Sequence, residues 1–410
     1  MSKVNWFGML LVFYSLWIFN IRLRDENGFD DFNVFYNAGG RLLNHENIYG
    51  EPFFLNLYKY YYSVFFALLM SFFQSISILK TKLVWFVLNY LAIIRILLIL
   101  KKKVFQNLQY NNILFAVFLL LISKIVLFNF LSNQLTILIA WMILEAYVQI
   151  INGKYILPAI LLCIGVNFKL LPLAVLPWLI FICKKRGRLI AMFLISILSM
   201  LMIPAFFIGW DYNFMLTGAW LNTINPFSHI HIMQTNEGGM LDISSLCTKY
   251  FTAEKLPGEK GINLINLNKS GLFILVNLIR AMLLSLVLYS AYHLKKSIIG
   301  IQVSLLMLFA FMTLIPLCFP HQRLYSYFMS MPMLSALIVI VANKGSFIQK
   351  IVLTLLILLS GLLTWVDFAG DLINDFFNLY RLSTIGTTFM LIFYCYVILK
   401  FQFNTGKDEK

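Results

Sequence analysis

Charge is scarce in this chain. Only 12% of its 410 residues are Asp, Glu, Lys or Arg, and acids are scarcer still, 17 against 32 basic residues. Cysteine is sparse as well: Cys163, Cys183, Cys247, Cys318 and Cys395 show no CxxC or Cys/His spacing, which excludes a disulfide framework and a zinc site. GxGxxG, Walker A, GxSxG and HExxH patterns are missing, so nucleotide-, serine- and zinc-based chemistry has no sequence support. Alternating strand-length segments are absent, which argues against a membrane β-barrel. No internal repeat, heptad array or low-complexity tract is present.

What fills the chain instead is apolar. Hydrophobic residues make up 61% of it and the mean hydropathy is +0.83, more apolar surface than a soluble fold can bury. The expected class is therefore an all-α polytopic membrane protein. The net charge of +15 could suggest nucleic acid, but the basic residues cluster in short loops between apolar runs, as positive-inside topology requires. No nucleic-acid partner is expected; the lipid bilayer is. The segment 6–20 has no small-residue cleavage site after it and is followed by Arg22, Arg24, Asp25 and Glu26, so it reads as a retained first span.

Placing Lys101, Lys102 and Lys103, the cluster 184–188, Lys295 and Lys296, and Lys344 inside gives about 12 spans in one integral-membrane domain, residues 1–410, with both termini inside. The spans after the first cover 83–100, 112–128, 135–151, 155–166, 170–183, 189–208, 271–294, 298–319, 324–342, 347–365 and 384–399. External loops fall at 22–82, 209–270 and 366–383, and a charged tail at 400–410. The apolar stretch 63–79 is assigned to the interface, because letting it cross would put the triple lysine outside.

This topology sends Asp31, Lys59, Asn133, Gln134, Lys169, Trp220 and the turn 320–323 to one external face, although none of them was used to set it. The stretch from Asp30 to Leu43 reads as an amphipathic helix at the membrane edge, with apolar residues at helical spacing and acids at its start. Asp31 suits a general base for an attacking hydroxyl, with Asp30 as its rival; it suits an N-cap equally. Lys169 either holds an anion or snorkels to the interface. His321 and Arg323 could bind a phosphate, Arg bidentately, or form a polar turn against lipid headgroups. Asn133 and Gln134 could meet a sugar hydroxyl or cap the next helix. Lys59 lies among Tyr58, Tyr60, Tyr61 and Tyr62, a pattern more usual in an aromatic belt than in a substrate platform. Lys124 and Glu145 sit inside apolar runs, where ionisable groups point to function. Asp211, Trp220, His229, His231 and Glu237 lie in the second external loop and are weaker candidates.

The pattern Asp31-Phe32-x-Val34-x-Tyr36-x-Ala38-Gly39-x-x-Leu42-Leu43, then Asn47-Ile48-Tyr49 and Tyr58-Lys59-Tyr60, resembles the first external loop of glycosyltransferase family 87. These are polyprenol-phosphate-mannose-dependent mannosyltransferases and relatives of the GT-C fold. The resemblance continues through Asn133-Gln134, similar to the family's Gly-Gln turn with Gly replaced. It extends to Asn167-Phe168-Lys169-Leu170-Leu171-Pro172, similar to its Lys-x-x-Pro segment, and to His321-Gln322. Where the family often carries proline after the tyrosine, this chain reads Tyr60-Tyr61-Tyr62-Ser63.

The resemblance implies two juxtamembrane helices in the first loop, Asp31 as catalytic acid/base, and Asp30, Tyr36, Tyr49, Lys59, Asn133, Gln134 and Trp220 near substrate. It implies inverting transfer of a hexose, mannose foremost, from a polyprenyl-phosphate-linked sugar donor to a glycan or glycolipid acceptor. Lys169, His321 or Arg323 would steady the lipid-phosphate leaving group in place of a metal, with no cofactor. The setting would be the external face of a bacterial cytoplasmic membrane. A lipid-linked-sugar transporter, built on the short spans around Lys169, is the alternative of a different class. An O-antigen polymerase or ligase would lean on arginines in the loop 209–270, and that loop has none.

Overall fold

The computed structural model describes residues 12–13, 16–17, 20, 31–50, 52–53, 58–105, 111–225, 239–253, 262–363 and 366–404. In chain order the main helices are α1 (Asp31–Leu43), α2 (Val64–Ser71), α3 (Ile78–Lys103), α4 (Asn111–Leu131), α5 (Thr136–Ile151), α6 (Ile156–Phe168), α7 (Arg186–Met202) and α8 (Trp210–Thr223). They continue with α9 (Ile243–Phe251), α10 (Lys269–His293), α11 (Val303–Cys318), α12 (Met331–Lys344), α13 (Phe347–Leu359), α14 (Val366–Leu379) and α15 (Leu382–Asn404). Short helical turns occupy Leu171–Ala174, Leu176–Ile182, Ala205–Ile208 and Leu324–Ser330.

Among the described residues six segments are long and apolar enough to cross a membrane, α3, α4, α10 and α15 among them, and α5, α6, α11 and α13 are shorter apolar helices. At 1.5 Å per residue, the 26 residues of α3 reach well past the roughly 30 Å of a hydrocarbon core. Leu83, Leu91 and Leu98 on α3 and Ile274, Leu278 and Met282 on α10 stand exposed. Lipid is the solvent that makes such faces stable, because helices satisfy their own backbone and leave only apolar side chains outward. The chain is an all-α polytopic membrane protein.

The contacts gather into two compact units. Unit 1 holds the described residues of Met1–Ile96, Val126–Leu173 and Cys183–Asn225. In it α1 packs on α2, α5 on α6, and α6 on α7. Unit 2 holds Leu97–Ile125, Ala174–Ile182 and the described residues of Pro226–Lys410. Its core is α11 and α12, buried almost along their lengths, against which α15 fixes itself through Tyr394, whose hydroxyl donates to the Leu306 carbonyl at 2.9 Å.

Three stretches differ from the sequence expectation. The segment 63–79 is not one interfacial helix: Ser63 caps α2 by accepting from the Phe66 amide, α2 ends after eight residues, and turns lead to α3 at Ile78. Eight residues span about 12 Å, too short to cross a bilayer. The expected span 170–183 breaks into Leu171–Ala174 and Leu176–Ile182, because Pro172 and Pro177 lack the amide hydrogens that a continuous helix needs. The expected loop 366–383 is largely α14, kinked at Gly370, where φ is +76°.

Candidate active site

Helix α1 is placed by its apolar face. Phe32, Phe35, Ala38 and Leu42 are fully buried, a spacing that brings them to one side of the helix. Gly39 lets the backbones of α1 and α2 touch: a Cβ there would lie 2.6 Å from the Met70 carbonyl carbon and the Ser71 nitrogen. On the same side an aromatic cluster forms. Phe35 stands 5.2 Å from Phe66 and 4.7 Å from Tyr62, Phe32 stands 5.7 Å from Trp85, and Phe66 stands 4.8 Å from Phe168.

Asp31 and Lys169 flank this cluster, the one preceding Phe32 and the other following Phe168; both are half-buried. The Asp31 carboxylate accepts a hydrogen bond from the Gln134 side-chain amide, and Gln134 is itself buried. The turn that delivers Gln134 is built for it. Asn133 sits in the left-handed region at φ +48°, the Gln134 amide donates to the Asn129 carbonyl at 3.0 Å, and the Trp85 indole donates to the Asn133 carbonyl at 3.2 Å. Asparagine tolerates this backbone better than other non-glycine residues, which accounts for its standing where the similar turn carries glycine. Lys169 ends α6 in extended backbone (φ −163°, ψ 137°), and the Ser63 amide donates to the neighbouring Asn167 carbonyl at 3.2 Å.

Over residues 60–320 the sequence matches glycosyltransferase family 87, more than half of the chain. The chain belongs to glycosyltransferase family 87. It is therefore a membrane glycosyltransferase. The matched region contains Asn133, Gln134, Lys169 and Trp220, while Asp31 precedes it and His321 and Arg323 follow it. A comparison with curated proteins gave no match.

The remaining candidates of this family 87 enzyme fall into distinct surroundings. Tyr49 is buried and its hydroxyl donates to the Tyr62 carbonyl at 2.6 Å, and burial holds its pKa well above the ordinary phenol value. Tyr36 donates to the Ile76 carbonyl at 2.8 Å, which ties α1 to the turn before α3. Trp220, 5% exposed, donates through its indole to the Tyr61 carbonyl at 3.2 Å, and Tyr212 on the same helix donates to the Glu46 carbonyl at 2.6 Å. These four tyrosine and tryptophan contacts brace the first loop. Lys59 is exposed, as is Asp211. Asp30, His229, His231 and Glu237 lie outside the described residues.

In unit 2, His321 takes φ +57° and the turn pairs with the second loop. The Leu241 amide donates to the Gln322 carbonyl at 2.7 Å, and the Gln322 amide donates to the buried Asp242 carboxylate at 3.3 Å. Arg323 is half-buried beside the turn Leu324–Ser330. Of the intramembrane charges, Glu145 pairs with Arg95 at 2.8 Å, and Lys124 donates to the Gly361 carbonyl at 3.2 Å. Among the described residues no three His, Cys, Asp or Glu side chains gather where a metal could bind.

One buried cation of unit 1 escaped the sequence reading. Lys82, 3% exposed, lies on α3 one turn before Trp85 and so on the face that meets Phe32. Its signal was weak, since a lysine at the end of an apolar run is ordinarily a snorkelling residue.

Proposed function

We propose that Asp31 is the general base of an inverting transfer from a polyprenyl-phosphate hexose, mannose foremost, to a hydroxyl of a glycan or glycolipid at the external face. The observation that carries the reading is the hydrogen bond from Gln134 to the Asp31 carboxylate at the head of α1. A donor on one oxygen limits the carboxylate's rotation and fixes where the base stands before its substrate arrives. Gln134 on this account positions the base and does not bind sugar directly.

In the step itself the acceptor oxygen bonds to the anomeric carbon as the bond from that carbon to the phosphate oxygen breaks. The hydroxyl proton goes to Asp31, and the bonding pair leaves with the lipid phosphate. Lys169, at the rim of the same aromatic cluster, suits the growing charge on that phosphate as a point cation. The aromatic floor of Phe32, Trp85, Phe66 and Phe168 keeps water from the buried side of Asp31 and strengthens both interactions.

The test is transfer in liposomes. Purified protein receives a radiolabelled polyprenyl-phosphate hexose and a panel of glycan and glycolipid acceptors. Label appearing on an acceptor is the expected result. Movement of the intact donor between leaflets without transfer would replace this reading with that of a transporter.

A further inference from the structure

Helix α14 carries an apolar face that nothing in unit 2 covers. Beyond the kink at Gly370 its residues 371–379 are regular helix, and Leu372, Ile373 and Phe376 are 84%, 41% and 51% exposed. Asp371 and Asp375 are exposed as well. At about 100° per residue the three apolar side chains centre roughly 130° around the helix from the two acids, so the apolar and charged faces are separate. The last turn is held in place. Buried Arg381 donates from Nη1 to the Asn378 carbonyl at 2.9 Å, and the Tyr250 hydroxyl donates to the Tyr380 carbonyl at 3.1 Å. The exposed face therefore belongs to an anchored helix.

The neighbouring spans set its depth in the membrane. Helix α13 starts just after Lys344, α15 carries Lys400 near its end, and by the positive-inside bias both lysines mark the cytoplasmic boundary. Ser346 and Ser360 stand 14 positions apart, as do Lys400 and Gly386, and each stretch climbs about 21 Å from that boundary. The two climbs meet: a Cβ on Gly386 would lie 2.6 Å from the Ser360 nitrogen. Leu382, where α15 starts, then stands about 27 Å above Lys400, just inside the outer edge of a hydrocarbon core roughly 30 Å thick. Helix α14 joins α15 through Tyr380 and Arg381 at that level. Exposed apolar side chains also flank it on both spans, Leu355 and Leu358 on α13 and Phe389 and Ile392 on α15.

We propose that α14 lies in the outer leaflet as an interfacial helix, with Leu372, Ile373 and Phe376 among the upper acyl methylenes and Asp371 and Asp375 among the headgroups and water. In water alone the three large apolar side chains would stand exposed together on one face. At the acyl boundary they meet a solvent of their own kind, and the carboxylates stay hydrated. Through Tyr250 the same seat ties α9 of the second loop to the membrane surface. The inference does not depend on Asp31 or on the transfer reaction.

Nitroxide labels on the full-length protein in phosphatidylcholine liposomes test it. The variants Leu372→Cys, Phe376→Cys, Asp371→Cys and Asp375→Cys are labelled one at a time; all four side chains are exposed, so the fold tolerates the change. The unsubstituted protein, whose own cysteines are buried or half-buried, supplies the background. Each label meets molecular oxygen, which concentrates among acyl chains, and a water-soluble nickel chelate. Labels at the Leu372 and Phe376 positions collide mainly with oxygen and those at the Asp371 and Asp375 positions mainly with the chelate, a several-fold difference in collision ratio between the two faces. Chelate-dominated collisions at all four positions overturn the proposal by placing the helix in water. Oxygen-dominated collisions at all four overturn it by sinking the helix into the core. Shielding of the Leu372 and Phe376 positions from both reagents overturns it in favour of a protein cover, and dipolar broadening between labels then identifies a second copy of the chain.

Discussion

Replacing Gly39 with alanine should damage both stability and turnover, and the structure sets the scale. The added Cβ would lie 2.6 Å from the Met70 carbonyl carbon and the Ser71 nitrogen, against 3.4 Å for the start of ordinary contact, so the helices must part by about 0.8 Å. The obstructing atoms are backbone and cannot rotate away. On its buried side α1 is also held by Trp85 against Phe32, so the shift is taken up as a tilt of α1. Overpacking of this kind costs about 1–3 kcal/mol. Asp31 stands eight residues, about 12 Å, up the helix, and a displacement near 1 Å there should cost about ten- to a hundred-fold in kcat. Gly40→Ala is the control, because its Cβ meets only the flexible end of Gln74 at 3.1 Å. Thermal unfolding followed by light scattering and the liposome transfer assay measure both effects. Wild-type melting and turnover in Gly39→Ala would refute the argument that this contact positions the acid.

Gln134→Leu removes the hydrogen bond to Asp31 and should lower kcat about ten- to a hundred-fold with little change in donor KM; in the double variant with Asp31→Asn it should add almost nothing, since both act through one group. At Asn133 the left-handed backbone should accept glycine but not valine, so Asn133→Gly retains transfer while Asn133→Val loses about 1–2 kcal/mol of stability, read as a lower melting temperature. Alkaline pH should unfold the protein through its buried tyrosines. Burial raises the pKa of Tyr49 and Tyr60 in the folded state, so the stability they contribute is present below about pH 10 and is lost as the pH rises past the unfolded-state value. Melting curves from about pH 8 to about pH 11 should show that loss, and Tyr60→Phe should reduce it.

The spans and the site differ in how much of them a linear reading exposes. Helix α1 was legible because a buried face repeats at helical spacing and an acid precedes it, and both are local properties. Long spans such as α3 and α10 were legible because lipid imposes a run of apolar residues ended by lysines. The helix α14 was not, because Gly370 and the acids Asp367, Asp371 and Asp375 read as loop chemistry, although the acids recur every four residues along its axis. The break at 170–183 was signalled by Pro172 and Pro177, whose effect the apolar run concealed. Contacts between distant residues left no local trace. Gln134 meeting Asp31, Trp85 closing on Phe32, and Asp242 receiving the Gln322 amide depend on how helices pack, and the burial of Lys82 follows from the same packing.

The central claim is that Asp31 takes the acceptor's proton, and single-turnover transfer by Asp31→Asn tests it most directly. Asparagine keeps the shape of the side chain and can keep a bond to Gln134 through its carbonyl oxygen, but it cannot act as a base. The account predicts a rate about 10²- to 10⁴-fold below wild type with donor affinity and melting temperature essentially unchanged. A turnover equal to that of the wild-type protein would contradict it and would leave Asp31 as the acid that ends a helix.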